Sequence, residues 1–246
     1  MTPPSGGRVS RSEQSVQAMF SSIARFYDLN NTLLSLGLHH LWKRETMRAA
    51  DLHRGECVID IGTGTGDLAR TACQSVGHLG AVLAVDLNEA MLQTGRKRQL
   101  QPEVLAGNLL AIRGNAQQLP VATGVLDVAL TGFCLRNVAD LDRALGEIYR
   151  VLRPSGRMVC LEFSRPQMAL WRSLYDFYSF TLLPRIGRFV SKDKTGIYHY
   201  LPESIRHFPD QEALCQRIKS AGFKRVSFRN LAGGIVAIHI AYKAPP

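Results

Sequence analysis

The segment Val58-Ile-Asp-Ile-Gly-Thr-Gly-Thr-Gly-Asp67 constrains this chain more than any other. A short run of strand-forming residues ends in alternating glycines, and helical spacing resumes at Asp67. Glycine at Gly62, Gly64 and Gly66 allows a tight turn and lets a ligand approach without meeting a Cβ. The helix that follows presents unpaired N–H groups, which attract an anion. A strand, a turn and a helix with a concavity at the strand's carboxyl end is the expected result. The same pattern also serves as a plain structural turn, so its surroundings must decide.

Those surroundings alternate. Apolar runs at 57–61, 81–86, 109–113, 126–131 and 158–163 read as strands, and helical spacing fills most of the gaps, most clearly at Leu141, Leu145, Ile148, Tyr149 and Leu152. Strands alternating with helices imply a parallel sheet covered on both faces. Two further strands, 226–229 and 235–242, are joined by a short link and are expected to pair antiparallel. Five parallel strands closed by a terminal hairpin predict an α/β fold of the seven-stranded Rossmann-like class. Helices over 12–28 and 38–50 precede the sheet. The expected division is a disordered arm over 1–11 and one domain over 12–246: N-terminal helices to 50, a core over 51–163, an insertion over 164–209, and a closing helix and hairpin over 210–246.

Charge is unevenly placed. Thirty Lys and Arg against twenty Asp and Glu give a net charge of +10, and residues 150–206 hold ten basic and four acidic residues. This stretch also carries Trp171, Tyr175, Phe177, Tyr178, Phe180, Phe189, Tyr198 and Tyr200, and reads as a lid over the sheet's carboxyl edge. An excess of positive charge favours an anionic partner, and the alternative is a solvated face that maintains solubility. No apolar run is long enough to cross a bilayer, and the N-terminus lacks the apolar core of a secretory signal. Five cysteines without a Cys-x-x-Cys pair read as free thiols in a reducing compartment, so a cytoplasmic location is expected.

Two ligands suit the glycine turn. A dinucleotide matches Gly64-x-Gly66-x-x-Ala69 with Asp86 further on, and S-adenosylmethionine offers a carboxylate to the loop and an ammonium to an acidic side chain. Three features favour the methyl donor. Asp60 ends the first strand, where an ammonium would want it and a pyrophosphate would not. Asp86 closes the second strand, where it can accept from both ribose hydroxyls. Gly114-Asn-Ala-Gln-Gln-Leu-Pro120 follows the third strand, where Asn115 and the small Ala116 can read an adenine edge.

The loop, Asp86 and Arg150-Val-Leu-Arg-Pro-Ser-Gly-Arg157 resemble class I S-adenosylmethionine-dependent methyltransferases. Phe26-Tyr-Asp-Leu-Asn-Asn31, with Ser35, His39 and Trp42, is similar to the N-terminal signature of the ubiquinone and menaquinone biosynthesis C-methyltransferases. Phe133-Cys-Leu-Arg-Asn137, Leu161-Glu-Phe-Ser164, Leu183-Pro-Arg-Ile-Gly187, Tyr200-Leu-Pro-Glu-Ser204 and Phe208-Pro-Asp210 resemble that family's later blocks in the same order. Departures are Asn30 for a usual Met, Cys134 and Ser155 for usual Gly, and Gly132 where relatives often carry a donor-contacting Ser. The donor-binding residues the resemblance implies are Asp60, Gly62, Gly64, Thr65, Gly66, Asp86, Asn115, Ala116 and Gly132.

What the resemblance implies is methyl transfer from S-adenosylmethionine, without a metal, to a ring carbon of a polyprenylated quinol. Demethylmenaquinol comes first; the methoxy-benzoquinol precursor of ubiquinone and a phytyl naphthoquinol are the alternatives. Such a carbon becomes nucleophilic when the adjacent phenol loses its proton. Arg136 is the candidate catalytic residue, stabilising the oxyanion because a guanidinium accepts no proton; its structural alternative is an ion pair with a lid carboxylate such as Glu203. His39, His199, His207 and Tyr200 are lesser candidates for a base. The lid would line an isoprenoid tunnel and rest its basic rim on an anionic membrane, and the N-terminal helix would cover the same pocket. A homodimer is compatible with the sequence. Rivals are an RNA methyltransferase, a dehydrogenase and an inactive scaffold subunit. No appended RNA domain is visible, so no nucleic acid partner is expected.

Overall fold

The structure, a computed structural model, describes residues 13–24, 31–32, 35–98, 108–178, 181 and 197–245. The expected arm over 1–11, residues 26–30 of the N-terminal signature, and the Leu183-to-Gly187 block with most of the lid's basic residues lie outside them. Seven strands form one sheet: β1 (Cys57–Ile61), β2 (Ala81–Asp86), β3 (Leu109–Arg113), β4 (Leu126–Gly132), β5 (Leu152–Phe163), β6 (Arg225–Leu231) and β7 (Val236–Tyr242). Their order is β3-β2-β1-β4-β5-β7-β6. The first five run parallel and β6 and β7 pair antiparallel, as the sequence predicts, and β7 also pairs antiparallel with β5.

Helices cover both faces. Helices α1 (Glu13–Ile23), α2 (Leu38–Ala50), α3 (Asp67–Val76), α4 (Glu89–Arg98), α5 (Leu141–Val151), α6 (Ala169–Phe177), α7 (Ile197–His207) and α8 (Gln211–Ser220) follow in chain order. One core packs Ile59 and Ile61 of β1 against Leu145 and Ile148 of α5 and Leu214 and Ile218 of α8. The other packs Val58 and Leu130 against Trp42 and Ala50 of α2 and Ala69, Ala72 and Val76 of α3. Period-2 alternation in β1 thus sends successive side chains into different cores, and each buried Leu or Ile contributes about 1.5–3 kcal/mol. Asp140 and Asp210 cap α5 and α8, accepting from the N–H of Arg143 at 3.0 Å and of Ala213 at 2.9 Å.

One strand is longer than its sequence indicates. Strand β5 starts at Leu152, not Met158: Leu152 pairs with Leu126, the register then shifts, and regular pairing resumes at Arg157 opposite Val128. Arg153-Pro-Ser-Gly156 reads as a turn because it does turn, with Ser155 at φ 63°, but within the strand. Gly156 closes the irregularity, since a Cβ there would lie 2.9–3.2 Å from the carbonyl oxygens of Arg153, Asp127 and Leu126. Arg157 then clamps the sheet to α2, donating to both carboxylate oxygens of Glu56 at 2.8 and 2.9 Å and to the Ala50 carbonyl at 2.7 Å.

The strand order fixes where a site can form. Strands β1 and β4 are neighbours although β2 and β3 come between them in the chain, so the connections from β1 and β4 leave towards opposite sides. The crevice at their carboxyl ends is where open α/β sheets bind ligands.

Candidate active site

The glycine turn sits at that crevice. Gly62, Gly64 and Gly66 have φ of 67°, 59° and 94°, a left-handed region that opposes any other residue type. The amides of Gly62 and Thr63 donate to the Val85 carbonyl at 2.8 and 3.0 Å, and that of Gly64 to Asp86 Oδ2 at 2.8 Å, which fastens the turn to β2. Asp60 holds it from beneath: its Oδ2 accepts from Thr63 Oγ1 at 2.6 Å and from the Ala69 amide at 3.0 Å. Asp60 is 1% exposed, and its Oδ1 has no hydrogen-bond partner among the described residues. Burial raises this carboxyl to about 6, against the bonds from Thr63 and Ala69 that pull it down.

Gly62, Gly64, Asp86, Asn115, Ala116 and Gly132 line one cleft. Asp60, Thr65 and Gly66 are buried behind it and do not reach its wall. Asp86 spends one oxygen on Gly64 and the other on the Asn88 amide at 2.8 Å, and burial raises its carboxyl above the ordinary value. Asn115 Oδ1 accepts from the Gln117 amide at 2.9 Å and so shapes its own turn. A Cβ on Gly132 would lie 2.9 Å from Leu68 Cδ1, and one on Gly62 would lie 2.2 Å from Cys134 Sγ. The departures from the family pattern at positions 132 and 134 are therefore matched to their neighbours by packing.

Helix α1, expected over the acceptor pocket, also borders this cleft. Gln17 and Phe20 line the cleft, and Asn88 Nδ2 donates to the Gln17 carbonyl and to Ser21 Oγ, each at 2.9 Å. The side of α1 carrying Met19 and Ile23 packs against Tyr178, Tyr200 and Leu201. Asn88 was not singled out in the sequence; a polar residue two positions after the strand-ending Asp86 was the available signal. The cleft encloses about 90 Å³, below the roughly 300–1,000 Å³ of typical small-molecule sites.

A larger cavity of about 400 Å³ adjoins it, with Phe133 forming part of both walls. Its lining is mainly apolar, including Trp42, Phe163, Trp171, Leu201 and Ile205, and Arg136 and His39 are its strongest polar groups. Phe133 takes a left-handed φ of 57°, unusual outside glycine, at the end of β4. Its ring lies 4.7 Å from that of Phe163 and 6.3 Å from that of Trp42.

Arg136 is paired with Glu162 of β5, not with Glu203. Its Nη1 donates to Glu162 Oε1 at 2.8 Å and to the Phe133 carbonyl at 2.6 Å, and its backbone amide donates to Glu162 Oε2 at 3.3 Å. The two side chains are 5% and 1% exposed. The guanidinium also lies over the Phe163 ring, 5.1 Å from its centroid. Glu162, a lone carboxylate in the apolar β5, was the signal for a buried partner.

His39 is 2% exposed; its Nε2 contacts Thr32 Oγ1 at 3.0 Å, while Nδ1 has no partner among the described residues. Burial, aided by Lys43, lowers it to about 4, so the imidazole is neutral near pH 7. Tyr200 donates to Asn137 Oδ1 at 2.8 Å, and His207 lies on the exposed face of α7 with Nδ1 2.8 Å from the Glu203 carbonyl. Among the described residues no cluster of His, Cys, Asp and Glu could hold a metal, and no helix is long and apolar enough to cross a membrane.

The same folding pattern occurs widely. The [4+2]-cyclase SpnF superposes with a TM-score of 0.70 at 16% identity, covering 99% of this chain and 100% of that one. A SAM-dependent methyltransferase from Aquifex aeolicus gives 0.59 at 17% identity, covering 81% and 88%. At such identities the likeness establishes the fold alone. Sequence relatives are much nearer. The ubiquinone/menaquinone biosynthesis C-methyltransferase UbiE of Legionella pneumophila (strain Corby) is 48% identical over 231 residues, 94% of this chain and 92% of its own length. Its namesake from Francisella tularensis subsp. tularensis (strain WY96-3418) is 44% identical over the same shares. With the family model matching residues 8–243 as well, the chain belongs to the ubiE/COQ5 methyltransferase family.

Proposed function

We propose that this chain transfers the methyl group of S-adenosylmethionine to a ring carbon of a polyprenylated quinol, with demethylmenaquinol as the preferred acceptor. The observation that carries this reading is the meeting of a glycine-lined cleft and an apolar cavity at Phe133, with Arg136 and His39 facing the apolar side. When bound, the donor supplies an electrophilic methyl carbon on a cationic sulfur. The cleft suits such a ligand by its chemistry. Asp86 retains lone pairs for a ribose diol and Asn115 and Ala116 flank the base end, while Asp60 fixes the turn from beneath through Thr63 and Ala69. Thr65 and Gly66 act by holding the turn from behind.

In the acceptor cavity Arg136 stabilises the developing phenolate by its fixed positive charge, with Glu162 setting its orientation. His39, kept neutral by burial, lines the same cavity as a hydrogen-bonding partner for a quinol hydroxyl, not as a base. Phe133, Phe163 and Trp42 exclude water and hold the ring. Demethylmenaquinol is placed first because the Tyr198-to-Ser204 block resembles menaquinone-pathway members, while the ubiquinone precursor and a phytyl naphthoquinol suit the same cavity.

A peripheral position on the cytoplasmic face of a membrane accords with this acceptor. Leu36 and Trp171 line the cavity while 80% and 41% exposed, and Met168 and Leu170 nearby are 72% and 74% exposed. Expression in a host lacking its own enzyme, followed by mass spectrometry of extracted lipids, tests the function. Methylated menaquinone is expected; folded protein that yields neither methylated menaquinone nor ubiquinone overturns it.

A further inference from the structure

We infer that Arg165, Arg172 and Arg206 form a site for a phosphate group, that of an anionic phospholipid, beside the mouth of the acceptor cavity. The inference rests on the peripheral membrane position proposed above and says which side chains read the headgroup.

Past the end of β5 the chain turns through Ser164, Arg165 and Pro166 into α6, and α7 packs alongside. Between them lies a concavity of about 160 Å³ with the three arginines on its wall. Tyr175, Pro202 and Ile205 line this concavity and the acceptor cavity alike, so the two are adjacent. Its base includes the buried Ser164, Pro166, Pro202 and Ile205, while the arginines lie towards solvent.

Two of the guanidiniums are fixed by carbonyls. Arg165 Nη2 donates to the carbonyls of Arg206 and, at 3.5 Å, Phe208, at the end of α7. Arg172 donates from Nε to the Pro166 carbonyl at 3.0 Å and from Nη2 to the Gln167 carbonyl at 3.4 Å. Neither is in an ion pair among the described residues, and each keeps N–H groups beyond those it spends. Asp176 is the one carboxylate on the wall. The guanidiniums of Arg165 and Arg172 on one small hollow repel each other, and an anion between them relieves the repulsion. The planar guanidinium fork matches the oxygens of a phosphate.

The source of that phosphate is indicated by the same helix. Met168, Leu170 and Phe177 are 72%, 74% and 57% exposed, on α6 or the turn before it. Large apolar side chains beside arginines suit an interface where the former enter the acyl region and the latter remain with the headgroups. A nucleic acid or a free anion would gain nothing from them.

The test is flotation at low ionic strength with vesicles of phosphatidylcholine alone and of phosphatidylcholine with phosphatidylglycerol. The unaltered protein is expected to bind both and to prefer the anionic vesicles. At about fivefold per basic side chain near the surface, R165Q/R172Q should bind anionic vesicles about thirtyfold more weakly, with binding to neutral vesicles unchanged. Asp176→Asn, which removes a carboxylate that makes no side-chain hydrogen bond or ion pair among the described residues, should bind them about fivefold more tightly and decides the matter if the double variant fails to fold. Equal anionic preference in all three proteins overturns the site. Loss of that preference in the presence of inorganic phosphate at the same phosphate concentration overturns the lipid as its source. Failure of the unaltered protein to bind either vesicle overturns the membrane position itself.

Discussion

Replacing Arg136 by alanine strands a carboxylate inside the protein. Glu162 is 1% exposed, and three of its contacts are with Arg136 or the adjacent Phe163 amide: Arg136 Nη1 at 2.8 Å, the Arg136 amide at 3.3 Å and the Phe163 amide at 2.9 Å. Removing one partner of a buried pair costs about 3–5 kcal/mol, mainly because the survivor keeps its charge without compensation. In a chain of this length each kcal/mol moves the melting temperature by roughly 2–4 °C, so Arg136→Ala should melt about 6–20 °C lower. Glu162→Gln in the same background removes the stranded charge and should restore all but about 2 kcal/mol. The rate behaves differently. If Arg136 stabilises the phenolate, both the single and the double variant lose about 10²–10³ in single-turnover methyl transfer. Urea unfolding followed by tryptophan fluorescence reads the first quantity, and transfer from a radiolabelled donor at saturating acceptor reads the second. A double variant that regains rate along with stability would reduce Arg136 to a structural partner, and an Arg136→Ala protein as stable as the parent would refute the buried-charge reasoning.

Asp86→Ala removes the carboxylate that ties Gly64 and Asn88 and that is assigned to the ribose; with about 1.5–3 kcal/mol per hydrogen bond to a charged group, equilibrium dialysis should show donor affinity at least tenfold weaker. Asp60 and His39 give opposite pH dependences in overlapping windows. Asp60 holds its proton in the folded state up to about 6 against an ordinary 3.8, so its favourable contribution is full below 3.8 and is lost as the pH rises through 6. His39 binds its proton in the folded state only below about 4 against an ordinary 6.5, so its contribution is full above 6.5 and is lost as the pH falls through 4. Denaturant titrations from pH 4 to 7 should therefore show Asp60→Asn gaining stability relative to the parent as the pH rises, and His39→Gln losing it. Parallel curves for parent and variants would contradict both assignments.

Much of the fold was legible because its signals are local. The runs 57–61, 81–86 and 109–113 match β1, β2 and β3 residue for residue, since a buried parallel strand is a short apolar run between turn residues. The terminal hairpin was legible from the shortness of its link. The start of β5 was not, because Arg153-Pro-Ser-Gly156 has the chemistry of a turn, and only pairing of Leu152 with Leu126 extends the strand past it. In the site, the three glycines were evident from composition, and their positive φ angles follow from the lack of a Cβ.

What lies across space was decided by the tertiary structure. Arg136 and Glu162 are brought together because β4 and β5 are neighbours, with Gly132 opposite Leu161, whereas chain order alone left Glu203 as good a partner. The same holds for Asn88 fastening α1 over the donor cleft, for Cys134 against Gly62, and for Phe133 dividing two cavities. The amino-acid order by itself determined which residues turn, which strands form and which carboxylates end them, because backbone conformation and period depend on near neighbours. Which side chain meets which depends on the order of strands in the sheet and on the packing of helices over it, and those arise only when the whole chain buries its apolar surface at once.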